Sequence, residues 1–177
     1  MKIFKTLFLF YFLSVVGLAG CGYSTRSALP SSFRTIVVEP FRNKIDFTNE
    51  NRRNVYFPLM EVNARSAIVK RIQFDGNLRI AQSGKADLTL KGDLVSYDRQ
   101  PIRYDENENV LEYRVNVGVD LILWNNKENR LVWEEKGFIG ESTYLPTGVG
   151  ATSESDAVNK AMEDLGKRVV ERTVEDW

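Results

Sequence analysis

Ala86-Asp87-Leu88-Thr89-Leu90-Lys91-Gly92-Asp93-Leu94 alternates small or apolar residues with polar ones. Ala86, Leu88, Leu90 and Leu94, with Gly92, fall on one side of an extended chain; Asp87, Thr89, Lys91 and Asp93 fall on the other. A period of two is a β-strand with one packed face and one wet face, and the pattern runs on to Tyr97. Leu111 to Trp124 repeats it. Leu111, Tyr113, Val115, Val117, Val119, Leu121 and Leu123 face one way, and Glu112, Arg114, Asn116 and Asp120 the other. Asn125-Asn126-Lys127-Glu128-Asn129 is a turn, and Arg130 to about Tyr144 is a third strand, with Gly137 and Gly140 marking a bulge or bend. The middle of the chain is therefore a three-strand meander.

The flanks add one strand and two helices. Thr35 to Phe41 holds the β-branched run Ile36-Val37-Val38, and Pro40 suggests its end or a sheet edge. Arg42 to Asn54 is polar and aperiodic, so a loop is expected. From Pro58 to about Phe74, Met60, Ala64, Ala67, Ile68 and Ile72 recur at helical spacing, and Asp75-Gly76-Asn77 supplies a stop. Leu78 to Ala81 begins a short strand. After Gly148-Val149-Gly150 a second helix carries Val158, Ala161, Met162, Leu165 and Val169 on one stripe and runs to about Val174. Thr152, Ser153 or Ser155 caps it, and Glu154 and Asp156 suit its positive end. These elements predict an α+β fold, an α/β sandwich: a four-stranded, mostly antiparallel sheet with both helices on one face, in the order β-α-β-β-β-α. The other face stays polar or meets a partner.

Composition narrows the function. The 177 residues contain no histidine and one cysteine, which excludes a Ser-His-Asp triad, histidine metal sites, an internal disulfide and a thiolate zinc cluster. Lys+Arg and Asp+Glu are equal at 24, so no broad positive footprint for nucleic acid exists. No cofactor loop, metal motif or catalytic motif appears. Gly148-Val149-Gly150-Ala151 lacks the lysine of a phosphate loop and reads as a hinge and cap. Asp105, Glu106 and Glu108 lack calcium-loop spacing and read as a solvated hairpin tip. Glu134 and Glu135 are neighbours on a strand, point to opposite faces and cannot share a site. Ser142 and Thr143 have no histidine base, although a lysine base stays open. The catalytic, cofactor and metal assignments are therefore none.

Residues 1–20 have the order of an export signal. Lys2 and Lys5 precede an apolar run from Leu7 to Val16, and Gly17-Leu18-Ala19-Gly20 stands before Cys21. An ordinary signal or an anchor helix would share these features. Leu18-Ala19-Gly20-Cys21 resembles a bacterial lipobox, which makes Cys21 the lipid attachment point and the mature N-terminus. Two or more acyl chains there anchor a soluble domain stably, at about 0.8 kcal/mol per buried methylene. Gly22 in place of an aspartate implies, by resemblance to sorted lipoproteins, the outer membrane over retention in the inner one. Removing residues 1–20 takes away Lys2 and Lys5 and no acid, which leaves the mature chain at a net charge of −2. The expected organisation is a signal peptide over 1–20, a lipidated tether over 21–32 and one domain over 33–177.

Arg99-Gln100-Pro101-Ile102-Arg103-Tyr104 places two arginines and a tyrosine between alternating segments, in an expected loop. Arginine forks suit phosphate and carboxylate. One reading is a solvated hairpin end; the other makes Arg99 and Arg103 contacts to a lipid headgroup or a partner.

Taken in order, Leu18-Ala19-Gly20-Cys21-Gly22-Tyr23, Thr35-Ile36-Val37-Val38-Glu39-Pro40-Phe41-Arg42-Asn43, Ala86 to Gly92, Tyr113 to Val117, Leu131-Val132-Trp133 and the helix from Glu154 to Trp177 resemble the LptE family of lipopolysaccharide-assembly lipoproteins. The resemblance implies an outer-membrane lipoprotein on the periplasmic side that sits in the lumen of the large LptD β-barrel, assists its assembly and contacts lipopolysaccharide on its way to the outer leaflet. It brings no catalytic residues, and Arg99 and Arg103 rest on position and charge alone. A different envelope lipoprotein, structural or part of a secretion system, is the alternative, and a periplasmic enzyme is the least supported. Cys21→Ala is expected to leave the domain folded but to release it from the membrane fraction. Fractionation of cells lacking a barrel partner checks this, and full membrane retention there would contradict it.

Overall fold

The computed structural model describes residues 29–45 and 58–174. The signal region, Cys21, most of the tether and much of the expected polar loop lie outside the described residues. The elements are β1 (Thr35–Val38), β2 (Arg42–Asn43), α1 (Met60–Asp75), β3 (Arg79–Ile80), β4 (Leu88–Tyr104), β5 (Val110–Asn125), β6 (Arg130–Tyr144) and α2 (Glu154–Val174).

The expected α+β class and meander stand, but the four-stranded, mostly antiparallel sheet is corrected. The sheet has six strands in the order β3-β1-β4-β5-β6, with β2 also paired to β4. β1 lies parallel to both β3 and β4, and β2 is parallel to β4, whereas β4-β5 and β5-β6 are antiparallel. Alternation in sequence reports which face a side chain takes and carries nothing about strand direction. β2 and β3 are two residues each, too short to show a period. Returning from β1 through α1 into neighbouring β3 requires a helical crossover, which makes that pair parallel.

Ile36, Val38, Leu88, Leu90, Leu94, Val115, Val117, Val119, Leu121 and Leu123 are almost entirely buried on one sheet face. Both helices cover that face. α1 contributes Met60, Ala64, Ile68 and Ile72, and α2 contributes Ala157, Val158, Ala161, Met162, Leu165 and Val169. Glycines set the closest approaches. A Cβ on Gly140 would stand 2.3 Å from the Ala161 carbonyl oxygen and 2.7 Å from the Leu165 nitrogen, so α2 rests directly on β6. A Cβ on Gly92 would meet the Phe41 ring at 2.3 Å, so the gap in the alternating apolar row is filled by Phe41.

Two irregularities reorient the strands. A register shift between Leu94 and Ser96 turns Tyr97 inward. Around Gly137, at φ 62, β6 bulges, and the Gly137 N–H donates to Asp120 at 2.8 Å. The helix ends differ in part from expectation. Pro58 lies before α1, and Leu59, in the left-handed region at φ 63, precedes its first residue. Gly76 closes α1, its N–H donating to the Ile72 carbonyl at 3.1 Å. Ser153 caps α2. Its hydroxyl accepts from the Asp156 N–H at 3.0 Å, and the Asp156 carboxylate accepts in return from the Ser153 hydroxyl at 2.7 Å.

Gly140→Ala is expected to lower stability by about 1–3 kcal/mol, because the new methyl group meets backbone that cannot retreat. Thermal unfolding monitored by circular dichroism checks this; an unchanged midpoint would contradict the close packing of α2 on β6.

Candidate functional site

The β4-β5 hairpin outruns the rest of the sheet. β6 ends at Tyr144 opposite Tyr113, while β4 and β5 continue to the pair Tyr104 and Val110. The tip is closed by Asp105. One carboxylate oxygen accepts the N–H groups of Asn107 and Asn109, each at 2.8 Å, and the other accepts the Asn109 amide at 2.9 Å. These bonds hold the Asp105 carboxyl below its ordinary pKa, the Asn109 side chain first among them. The acidic cluster is thus a hairpin tip.

Arg99 to Tyr104 is strand, not loop, which corrects the sequence expectation. Pro101 marks a strand edge, as proline does, and pairing with β5 carries on past it. Arg99 is drawn into a cluster at the start of α2. Its guanidinium donates to Glu154 Oε2 at 2.5 Å and lies 4.8 Å from the centre of the Tyr113 ring. Tyr97 donates its hydroxyl to Glu154 Oε1 at 2.5 Å, and Tyr144 reaches Oε2 at 3.4 Å. Tyr113 and Tyr144 stack with centroids 5.5 Å apart. Burial pushes the Tyr97 hydroxyl far above its ordinary pKa, and the facing Glu154 carboxylate adds to the effect. Glu154 thereby ties α2 to β4 and β6. Arg103 stands further out, with its side chain 56% exposed and Glu112 at 3.4 Å. The structure does not gather the two arginines into one site: Arg99 belongs to the latch, and Arg103 stays available on the arm.

The face away from the helices is polar and charged. Arg42 makes two bonds to Asp93, at 2.7 and 2.9 Å, and Lys44 pairs with the same carboxylate at 2.7 Å. Lys91, Asp120, Glu134 and Lys136 border the same shallow depression of about 560 Å³. Glu134 and Glu135 point apart as expected: Glu134 lies 3.9 Å from Lys136, while Glu135 meets Arg172 of α2 at 3.1 Å. Among the described residues no group of three or more acidic, histidine or cysteine side chains is placed to hold a metal ion, and no helix is long and apolar enough to cross a membrane. Cys21 lies outside the described residues.

Sequence reasoning assigned Glu154 only to the helix dipole and left Tyr97 and Tyr144 without partners. Tyr97 and Glu154 are 57 positions apart, and no local pattern links them.

The family model for LptE, described as lipopolysaccharide-assembly, matches residues 33–173. No curated protein matches the chain. Among solved structures, a protein from Xanthomonas campestris is similar at a TM-score of 0.53 and 13% identity, covering 82% of this chain and 86% of that one. A hypothetical protein from Chlamydia trachomatis is similar at a TM-score of 0.51 and 11% identity, covering 80% of this chain and 95% of the other. At such identities these two likenesses speak for the fold alone.

Glu154→Ala is expected to cost about 2 kcal/mol, because it strips the buried Tyr97 hydroxyl and the Arg99 guanidinium of their acceptor. Chemical denaturation checks this, and a midpoint equal to that of the parent protein would remove the latch.

Proposed function

The chain belongs to the LptE family, and from that membership we propose that it is an outer-membrane lipoprotein, anchored through acylated Cys21 on the periplasmic side, which plugs an LptD-like β-barrel and assists the insertion of lipopolysaccharide. The observation that carries this reading is the family match across 33–173, which takes in the whole sheet and nearly all of α2. The proposed organisation is a signal peptide over 1–20, a lipidated tether over 21–32 and one LptE-like domain over 33–177.

The architecture supports a plug. A large barrel lumen is polar and wet, so a body held inside it needs a rigid core and a charged exterior. Two helices seal one face of this sheet, and the other carries Lys91, Asp93, Asp120, Glu134 and Lys136 beside Ile122 and Trp124. Binding calls for no covalent chemistry, and the role proposed is assembly and contact rather than catalysis. A plug enclosed by its barrel buries more than the about 1,600 Å² of a standard interface.

Lipopolysaccharide presents phosphates and carboxylates, which arginine forks match. Of the two arginines, Arg103 is the one whose change tests this contact, because Arg99 is held in the half-buried cluster with Glu154 and its loss would disturb the fold. Arg103→Gln, which removes the charge without setting a carboxylate against Glu112, is expected to weaken lipopolysaccharide binding several-fold while shifting thermal unfolding little, since that ion pair is exposed; equal binding by both proteins would remove Arg103 from the contact. For the partner, affinity purification from membranes should bring down a large β-barrel in equal amount. Recovery of the lipoprotein alone would overturn the plug and favour a different envelope role.

A further inference from the structure

The two ends of the molecule differ in charge, and the lead-in from Cys21 joins at one of them. Phe33 is buried just before β1. Lys127, in the β5-β6 turn, secures that entry: its ammonium donates to the Ser32 carbonyl at 2.6 Å, pairs with Asp87 at 2.8 Å and lies 6.0 Å from the centre of the Phe33 ring. Arg34 follows directly, and the Arg79 N–H donates to its carbonyl at 2.9 Å. Lys85 stands just before β4 and Arg130 at the first residue of β6. All five basic residues, Arg34, Arg79, Lys85, Lys127 and Arg130, are exposed.

Among the described residues at this end, the acids Asp87 and Glu128 are ion-paired, and Asp75 keeps its charge. Asp87 accepts from the N–H groups of Arg34 and Thr35, at 2.8 and 3.0 Å, as well as from Lys127. Asp75 accepts from Asn77, and Glu128 is paired with Arg130. Arg34, Arg79 and Lys85 form no ion pair with any described residue. Beside them Phe74 is 81%, Leu131 44% and Ile80 37% exposed, where α1 ends and where β6 and β3 begin. The opposite end, across the roughly 50 Å spanned by β4 at 3.3 Å per residue, carries Asp105, Glu106 and Glu108.

We infer that the end bearing Arg34, Arg79, Lys85, Phe74 and Ile80 is a docking face for an anionic bilayer surface. Basic side chains gain attraction to acidic headgroups within a Debye length, about 8 Å at physiological salt, and exposed apolar groups between them seat at headgroup depth. The position of the anchor favours this occupant. Cys21 stands twelve residues before Phe33 in sequence, and twelve extended residues reach at most roughly 40 Å, so the acyl chains hold this end, rather than the acidic tip, toward the membrane. That last step rests on the lipid-anchor reading of Cys21; the charge pattern does not.

The test keeps the two apart. Every core residue lies between Phe33 and Val174, so a chain begun at Gly22 retains the whole core and carries no acyl group. It is floated with vesicles of phosphatidylcholine mixed with phosphatidylglycerol, and with phosphatidylcholine alone. Binding is expected on the mixed vesicles only, abolished by high salt, and reduced at least about a hundredfold by Arg34→Glu with Arg79→Glu and Lys85→Glu, while Lys160→Glu on α2 changes nothing. Equal flotation with neutral vesicles, or a triple variant that binds as the parent does, would overturn the inference. Displacement by inorganic phosphate, beyond that by sodium chloride at equal ionic strength, would overturn it in favour of a soluble phosphate. Mass spectrometry of the native protein reads the anchor separately: an unacylated Cys21 removes the anchor and leaves a positive flotation standing, whereas failed flotation beside an acylated Cys21 removes the docking face alone.

Discussion

Every layer of this molecule is referred to β4, which pairs on one side with the short parallel strands β1 and β2 and on the other with the long antiparallel β5. Leu88, Leu90 and Leu94 are wholly buried, so the apolar side of this strand must be roofed along its length. α1, carried in behind β1, and α2, carried in behind β6, do the roofing side by side. A Cβ on Gly166 would stand 2.9 Å from the Ala67 carbonyl oxygen, so the two helices touch nearly backbone to backbone and leave no separate core for either.

The same strand distributes function. At its start, Asp87 gathers backbone and side-chain donors from β1 and Lys127 from the β5-β6 turn, which holds its carboxyl well below the ordinary carboxylate range, Lys127 contributing most. Near its middle, Asp93 binds Arg42 and Lys44 and so stitches β2 to the sheet. Beyond the register shift, Tyr97 and Arg99 reach Glu154. The strand then leaves the roofed region and becomes one side of the projecting arm. Charge follows this axis, with Arg34, Arg79 and Lys85, which form no ion pair among the described residues, where the lead-in enters and acids at the arm's tip.

Faces were legible because burial has a period. The apolar rows of β4 and β5 and the stripe of α2 are set by side-chain geometry alone, and the structure buries the residues those periods single out, except that Leu111 and Tyr113, on the projecting arm, are half-buried. The stop at Gly76 and the Ser153 cap follow from backbone chemistry of single residues and were equally open to reading.

Strand direction, the length of the arm and the roles of Arg99 and Arg103 were not legible, because each depends on residues distant in sequence. Parallel pairing of β1 with β4 is decided by where α1 returns the chain. Pro101 reads as a stop, yet the partner β5 keeps the strand going. Arg99 and Arg103 look alike on the page of the sequence; only the arrival of Glu154 beside Arg99 turns one into a latch and leaves the other on the arm. Local periodicity specifies what each segment must bury, and the tertiary structure alone decides which charges meet, since electrostatic partners are chosen by proximity in space.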